Sequence, residues 1–418
     1  MAKKIKLAFV GLTHLGLNYL AASVKKNYTV LGVDFNKKKI DRLNNNIIEY
    51  KEPNLKSIIL KNRKNKTFSN NLKKISKCNL VFISQDVITN SSGYSDLKSL
   101  KLLINKTIKF LNKNSILIIL SQMRPGFVRS IKIDHNRLYH QVETLIFGEA
   151  IKRALYPERI IVGCRDKLKQ INPLYQSYLN DFNCQILKMN YESAEVAKIS
   201  INLLLSSSVT VTNILSEICE KMSADWNEIM PALKLDKRIG KYSYIKPGLG
   251  ISGGNIERDI VTAKNILKNN SPPQNFLNNI LANSKYMKSW IYRILNEQKI
   301  LSKNNKLDIG IIGATYKEKT NSMKNSPIID LLNSLQEKNI SIYEPMLKLQ
   351  LKKIKQVQNL KELISKNNII IFMRPWSNKN EINNIYQNLT DKIVIDPYGT
   401  INFEKKIKIK KYFRIGTN

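Results

Sequence analysis

Cysteine is scarce in this chain: four residues in 418, Cys78, Cys164, Cys184 and Cys219, scattered and with no metal-type pair among them. That argues against a disulfide framework and against a zinc site, and makes a reducing cytoplasm the expected compartment. No run of about eighteen apolar residues occurs, so no membrane span is predicted. The start, Met-Ala-Lys-Lys-Ile-Lys, leads into a short apolar strand without a small-residue cleavage site and does not read as a signal peptide. Acidic residues are also few, 32 against 69 lysines and arginines, for a net charge of +37. Such an excess invites a nucleic-acid reading. The lysines are spread almost evenly, however, among abundant asparagine and isoleucine, as in a chain biased toward these residues throughout. A solvated basic surface and no nucleic-acid partner are expected, with faster encounter of anionic nucleotides as a by-product.

What is present suits a multi-domain α/β protein. Hydrophobic residues make up 43%, ample for packed cores, and the length predicts two or three domains. Lys4 to Val10 reads as a strand, followed by Gly11-Leu-Thr-His-Leu-Gly16, a helical pattern through Leu17, Leu20 and Ala21, and a strand from Tyr28 to Val33 that ends on Asp34. Strand, glycine turn, helix, strand and acid make up a dinucleotide-binding unit. Gly11 permits the tight turn and Gly16 lets helix approach strand. Thr13 replaces the middle glycine, where backbone normally nears a pyrophosphate, and Leu15 opens toward the same place. Asp34 lies at the distance that suits a ribose diol, which favours NAD over NADP. Further strands are predicted at Leu80–Ser84 and Ser115–Leu120. The loop after the second, Ser121-Gln-Met-Arg-Pro-Gly126, would lie at a crevice-lining strand end, so Gln122 and Arg124 are site candidates or ordinary loop polarity. Glu143 is a candidate general base or a helix-start acid.

From Glu192 to Asp259 the pattern is helical and then glycine-rich. Helices are predicted over Glu192–Lys221, Asp225–Leu233 and Ile256–Leu267, and another over Phe276–Gln298 after the break Asn269-Asn-Ser-Pro-Pro-Gln274. Lys198 and Asn202 stand four apart on the first helix, one above the other, where both can reach one ligand atom. An apolar face through Val196, Ile199, Leu203 and Leu204 could pack against its twin in a symmetric dimer. The loop from Lys246 to Asp259, with Gly253 and Gly254, can bring backbone close to a ligand. After a polar link at Ser302–Lys306, a second α/β unit follows: strand Leu307–Gly313, helix Ser326–Glu337, strand Ile340–Tyr343 ending in Glu344, and strands at Ile369–Met373 and Lys392–Ile395. Tyr316, Lys317 and Thr320 can contact a phosphate or sugar there, or be plain loop residues.

Over nearly its full length the chain resembles the UDP-glucose/GDP-mannose dehydrogenase family. The turn Gly11–Gly16 with Asp34 is similar to the family's NAD fingerprint, and Glu52-Pro53-Asn-Leu55 to its Glu-Pro-x-Leu signature. Glu143 with Gly148-x-Ala150, Ala194-Glu-Val-Ala-Lys198-Ile-Ser-Ile-Asn202, Asp236-Lys-Arg238-Ile-Gly240, Pro247 through Asp259, Tyr316-Lys317-x-x-Thr320 and Ser326-Pro327 resemble its other motifs, in order. The resemblance implies an N-terminal Rossmann-type NAD domain (1–187), a central all-helical dimerisation domain (188–300) and a C-terminal Rossmann-like α/β domain that binds the UDP-sugar (301–418), in a homodimer formed through the central helix. It implies that Lys198 and Asn202 hold the oxygen at the reacting carbon, that Glu143 assists proton transfer and that Asp259 orients a water or the reacting group. Arg238 would reach substrate, and Gly253, Gly254, Tyr316 and Lys317 would line its site. No metal is implied.

The departures bear on chemistry. The family's loop cysteine attacks the aldehyde from the first oxidation; the matching position here is Asn255, and neither it nor Ile256 carries a nucleophile. Phe147 replaces a second glutamate, Val142 a proline, Gln122 a threonine, and Ser322 and Lys324 an aspartate and an arginine. An alcohol-to-aldehyde oxidation is therefore the expected activity. A redox-neutral isomerisation or a non-catalytic nucleotide-sugar binder is the alternative.

Overall fold

Short strands rich in Ile, Leu, Val and Phe, punctuated by glycine turns, build two largely parallel sheets. The computed structural model describes residues 4–90, 93–301, 308–318, 320–335, 339–349, 354–401 and 408–417. The chain divides into two compact units, Met1–Ile201 and Asn202–Asn418.

In the first unit the strands are β1 (Lys6–Val10), β2 (Thr29–Val33), β3 (Lys66–Ser69), β4 (Leu80–Ile83), a hairpin of β5 (Ile88–Thr89) and β6 (Ser95–Asp96), β7 (Ile116–Ile119), β8 (Leu138–Gln141), β9 (Arg159–Cys164) and β10 (Gln185–Asn190). Apart from the hairpin they form one sheet in the order β10-β9-β8-β7-β4-β1-β2-β3, parallel except where β8 meets β9. The middle strands β4 and β7 are buried along their whole length, as strands covered on both faces must be. Alternate residues feed separate cores: Leu7 and Phe9 pack on one face of the sheet, Ala8 and Val10 on the other. Helix α1 (His14–Lys25) follows β1 directly.

Helix α2 (Tyr191–Met222) begins in the first unit and continues into the second. By length and composition it could cross a membrane, although no unbroken apolar run marks it; a third of its most apolar window is buried. The second unit continues with α3 (Trp226–Leu235), which Asp225 caps through the Asn227 N–H, and α4 (Asn255–Ile266). It ends in an all-parallel six-stranded sheet, β13 (Lys355–Val357), β12 (Ile340–Tyr343), β11 (Ile309–Ile312), β14 (Ile369–Phe372), β15 (Ile393–Ile395) and β16 (Lys411–Phe413).

Three expectations change. The helix predicted over Phe276–Gln298 is two helices, Pro272–Lys288 and Trp290–Glu297, and the first opens on the proline pair that looked like a break. Proline suits a helix start, where its missing N–H costs no bond. The apolar face predicted through Val196, Ile199, Leu203 and Leu204 is not one face: Ile199 is buried, whereas Val196 and Leu204 are 47% and 71% exposed. The strands β3, β8, β10, β13 and β16 and the hairpin carry too few apolar residues to stand out. The expected link at Ser302–Lys306, Leu307 and Glu337 lie outside the described residues.

Candidate active site

The glycine turn after β1 is built by close approach. Gly11 has φ +91°, and a Cβ on Gly16 would stand 2.3 Å from the Gly11 carbonyl oxygen, so α1 could not approach β1 with any larger residue there. The threonine in the middle-glycine position turns its hydroxyl into the protein, donating to the Ser84 carbonyl and accepting the Asp86 N–H, both at 3.0 Å. Asp34, at the end of β2, accepts the Leu12 N–H at 2.9 Å and the Lys39 ammonium at 2.8 Å on Oδ2, and the Asn36 N–H on Oδ1. A carboxylate has about four acceptor sites, so Oδ1 keeps capacity for a ribose hydroxyl. These residues fit the adenosine end of NAD.

His14, the first residue of α1, is buried and reaches Glu52 at 2.8 Å, with its ring stacked on Phe147 at 4.0 Å. Glu52 also accepts the N–H groups of Gly148 and Ala150. Burial works against its ionised form, but these hydrogen bonds outweigh it and hold the carboxyl below its usual range. The Glu-Pro-x-Leu signature thus ties the dinucleotide turn to the loop that follows Glu143.

A narrow crevice in the first unit is lined by Gln122, His140, Glu143, Glu195 and Lys198, with Leu120, Met123 and Val142. Its centre is an ion pair, Lys198 Nζ to Glu143 Oε1 at 3.2 Å, and Glu143 also accepts the Leu145 N–H on Oε2. Glu195 and His140 were not singled out from the sequence. Glu195 accepts the N–H groups of Gly126 (2.7 Å) and Val128 (2.9 Å), pinning the loop that carries Gln122. Its place three residues before Lys198 was a usable signal, since i and i+3 share a helix face. His140 bonds through Nδ1 to the Ile119 carbonyl, which can only accept. The imidazole therefore keeps its proton on Nδ1, and burial pushes its pKa down to about 4, so the ring is neutral.

In the second unit, Asn202 donates from Nδ2 to Asp259 Oδ2 at 2.5 Å, and Asp259 also takes Arg258 Nε at 3.3 Å. All three side chains are buried. A carboxylate only accepts, so it fixes the amide end of Asn202 toward itself and leaves a second N–H for a ligand oxygen. Asp259 lies in α4, which starts at Asn255, an exposed residue, with Gly254 as N-cap. The loop before it is held by Asn325, whose Nδ2 reaches the Ile251 and Gly253 carbonyls and Glu257. Side chains lie directly on its glycines: the Tyr316 ring stands 3.0 Å from where Gly253 would carry a Cβ, and Lys324 Nζ 2.9 Å from that of Gly254. Lys317 follows Tyr316, and its carbonyl accepts the Thr315 hydroxyl. Arg238 is exposed, its guanidinium forked onto Asp236.

A parallel sheet with a glycine turn, an acid at the end of its second strand, and a helix that carries Lys198 and, one turn on, a buried asparagine bonded to Asp259 define a nicotinamide-dependent dehydrogenase. The NAD binding, central and UDP binding domains of the UDP-glucose/GDP-mannose dehydrogenase family match residues 5–179, 192–285 and 310–402, and the chain belongs to this family. It is an NAD-dependent oxidoreductase of nucleotide sugars with the family's α/β architecture and central helical domain. It is 25% identical to the UDP-glucose 6-dehydrogenase of Rickettsia bellii (strain RML369-C), over 99% of this chain and 100% of that protein. It is 28% identical to the UDP-glucose 6-dehydrogenase of Campylobacter jejuni, over 82% and 88%. The fold is shared with a UDP-glucose dehydrogenase from Pyrobaculum islandicum, at TM-score 0.85 and 18% identity over 100% of this chain and 99% of that one.

Proposed function

We propose that the enzyme oxidises one CH–OH group of a UDP-hexose to the carbonyl, a single two-electron step in making polysaccharide precursors. The observation that carries this reading is the Asn202–Asp259 bond on a helix that presents Lys198 one turn earlier, beside a loop whose nucleophile position is Asn255. Lys198 and Asn202 hold the reacting oxygen through an ammonium and an amide N–H, and so favour the alkoxide that develops there. Glu143, paired with Lys198, assists removal of the hydroxyl proton. Asp259 keeps the Asn202 amide in its donating orientation. Bound NAD supplies the hydride acceptor, held by the turn Gly11–Gly16 with Thr13, Leu15 and Asp34, and by Gln122. Gly253, Gly254, Tyr316, Lys317 and Arg238 bind the nucleotide sugar. Carrying the aldehyde to an acid requires a covalent adduct or a hydrate, and a carboxamide at residue 255 forms no adduct.

The division at 187 and 300 is taken as the functional one: NAD domain, helical domain, UDP-sugar domain. A homodimer through α2 is supported by its exposed Leu204, Val211, Leu215, Ile218 and Met222, which recur at helical spacing on one face. Four unpaired thiols support a cytoplasmic site of action.

The test is incubation of the full chain with NAD and a panel of UDP- and GDP-sugars. One NADH per sugar, with an aldehyde captured by hydroxylamine, is expected. Two NADH and a uronate would overturn the single step, and no NADH with any sugar would overturn the function.

A further inference from the structure

The first turns of α2 carry more than the reacting lysine. Glu195 stands three residues before Lys198, so the two side chains share one helix face. Lys198 reaches Glu143 in the loop after β8, while Glu195 reaches the loop after β7, the one that carries Gln122. Each carboxylate oxygen of Glu195 takes one N–H: Oε2 that of Gly126 at 2.7 Å and Oε1 that of Val128 at 2.9 Å. Glu195 is 2% exposed. Bonds from backbone donors to a buried carboxylate are charge-assisted and about twice as strong as neutral ones.

The loop is shaped to make these bonds. Gly126 has φ +86°, and a Cβ there would meet nothing within 4 Å, so the glycine serves the left-handed turn of the backbone and not the space around it. Met123, Phe127 and Val128 pack into the core on one face of the sheet and anchor the loop's apolar side. A second tie to α2 runs from Arg129, forked onto Glu192 at 2.6 and 2.9 Å. That pair is 43% and 45% exposed, and exposed pairs contribute little. The polar hold on the loop therefore rests on Glu195.

We infer that Glu195 is a positioning residue for the cofactor: by binding the Gly126 and Val128 N–H groups it fixes Gln122 relative to Lys198, and its effect on NAD passes through Gln122. The inference rests on the assignment of Gln122 to the cofactor site.

The experiment is calorimetric titration of NAD, and separately of UDP, into the full chain and into Glu195→Gln, Gln122→Ala and the double variant, with a melting temperature for each. Glutamine keeps the shape but offers an acceptor on one side only, so one of the two backbone donors faces another donor. Glu195→Gln is expected to weaken NAD by about tenfold and UDP by less than about twofold. Gln122→Ala should weaken NAD to a similar degree, and the double variant no further than the weaker of the two, because groups that act through each other are not additive. Gly126→Ala leaves α2 intact and strains the loop; it should reproduce the loss, and it stands in if Glu195→Gln does not fold. Losses that multiply in the double variant overturn the inference, as does a Gln122→Ala chain with unchanged NAD affinity. NAD affinity within about twofold of wild type in Glu195→Gln, whatever its melting temperature, or an equal weakening of UDP, also overturns it. A wild-type chain that binds no NAD overturns it together with the cofactor assignment, whereas one that binds NAD and forms no NADH fails the proposed function alone.

Discussion

Lys198 and Glu143 face each other at 3.2 Å, each side chain less than 15% exposed, although 55 residues separate them in sequence. The pair sets an ammonium against a carboxylate whose second oxygen is already tied to the Leu145 N–H. Truncating either partner strands the other as a poorly solvated charge. Lys198→Ala is expected to lower kcat by about 10²–10⁴-fold. Glu143→Gln should cost less, because it keeps the shape and loses only the charge. Steady-state kinetics with NAD and the best sugar of the panel check both, and a kcat within about twofold of wild type for Lys198→Ala would remove the lysine from the chemistry.

In the proposed reaction Asp259 acts on the reacting oxygen only through Asn202, to which it is bonded. Asp259→Asn can present an N–H where the carboxylate accepted one, which turns the Asn202 amide around. The expected result is a kcat loss of about 10²-fold or more with NAD affinity unchanged, since the oxygen is gripped more weakly and the dinucleotide turn is untouched. Calorimetry for NAD beside initial rates separates the two quantities. A loss shared equally by NAD binding would mean that the change spread through the fold.

Restoring a thiol tests the chemistry at residue 255. Asn255 is the first residue of α4 and is exposed, and a helix N-terminus lowers the pKa of a cysteine placed there. In Asn255→Cys the thiolate adds to the aldehyde carbon, the resulting thiohemiacetal gives up a second hydride, and water releases the acid. The ratio of NADH to sugar consumed should rise from one toward two, with uronate as product. A ratio that stays at one in a variant that still makes the aldehyde would show that more than the nucleophile separates this site from a four-electron enzyme.

Much of this was legible because it is local. Gly11, Gly16 and Asp34 sit within one strand–turn–helix–strand unit, and Lys198 and Asn202 share a helix turn, so spacing alone joins them. The family pattern offered Asn202 and Asp259 in separate roles, and their bond was not legible, since they stand 57 positions apart in the chain. What escaped notice is held by tertiary contact. Asp86 reaches the Thr13 hydroxyl through its N–H from 73 residues away and sits in a polar loop with no periodicity to mark it. His140 takes its tautomer from a carbonyl on the neighbouring strand. The apolar face of α2 was misplaced because serine and threonine interrupt it, so the residues that do line up, from Leu204 to Met222, are more widely spaced than those that caught the eye.

Glu52 supplies a pH signature. Hydrogen bonds from His14 and from the Gly148 and Ala150 N–H groups lower its carboxyl below the ordinary value of 4.5, against its burial. A depressed acid stabilises the fold fully above its unfolded pKa, and that contribution is lost as pH falls through the folded pKa. Wild-type protein should therefore lose melting temperature as the pH drops from about 5 toward 3, and Glu52→Gln should start lower and fall less over the same range. Parallel curves for the two proteins would show that the carboxylate is not a source of the acid sensitivity.

The exposed face of α2 predicts an assembly. Leu204, Val211, Leu215, Ile218 and Met222 follow one another at intervals of seven, four, three and four residues, and the two ends of the row are 71% and 72% exposed. An exposed apolar row of that length is costly in water and is more often an interface than a bare surface. A helix packed on its own copy about a twofold axis covers the same stripe on both chains at once. Leu215→Asp combined with Ile218→Asp would bury charges at the centre of that contact. Sedimentation equilibrium should find the wild-type chain at twice its 48.1 kDa and the double variant at the monomer mass. A variant that stayed dimeric would place the interface elsewhere and leave the α2 stripe without the partner assigned to it.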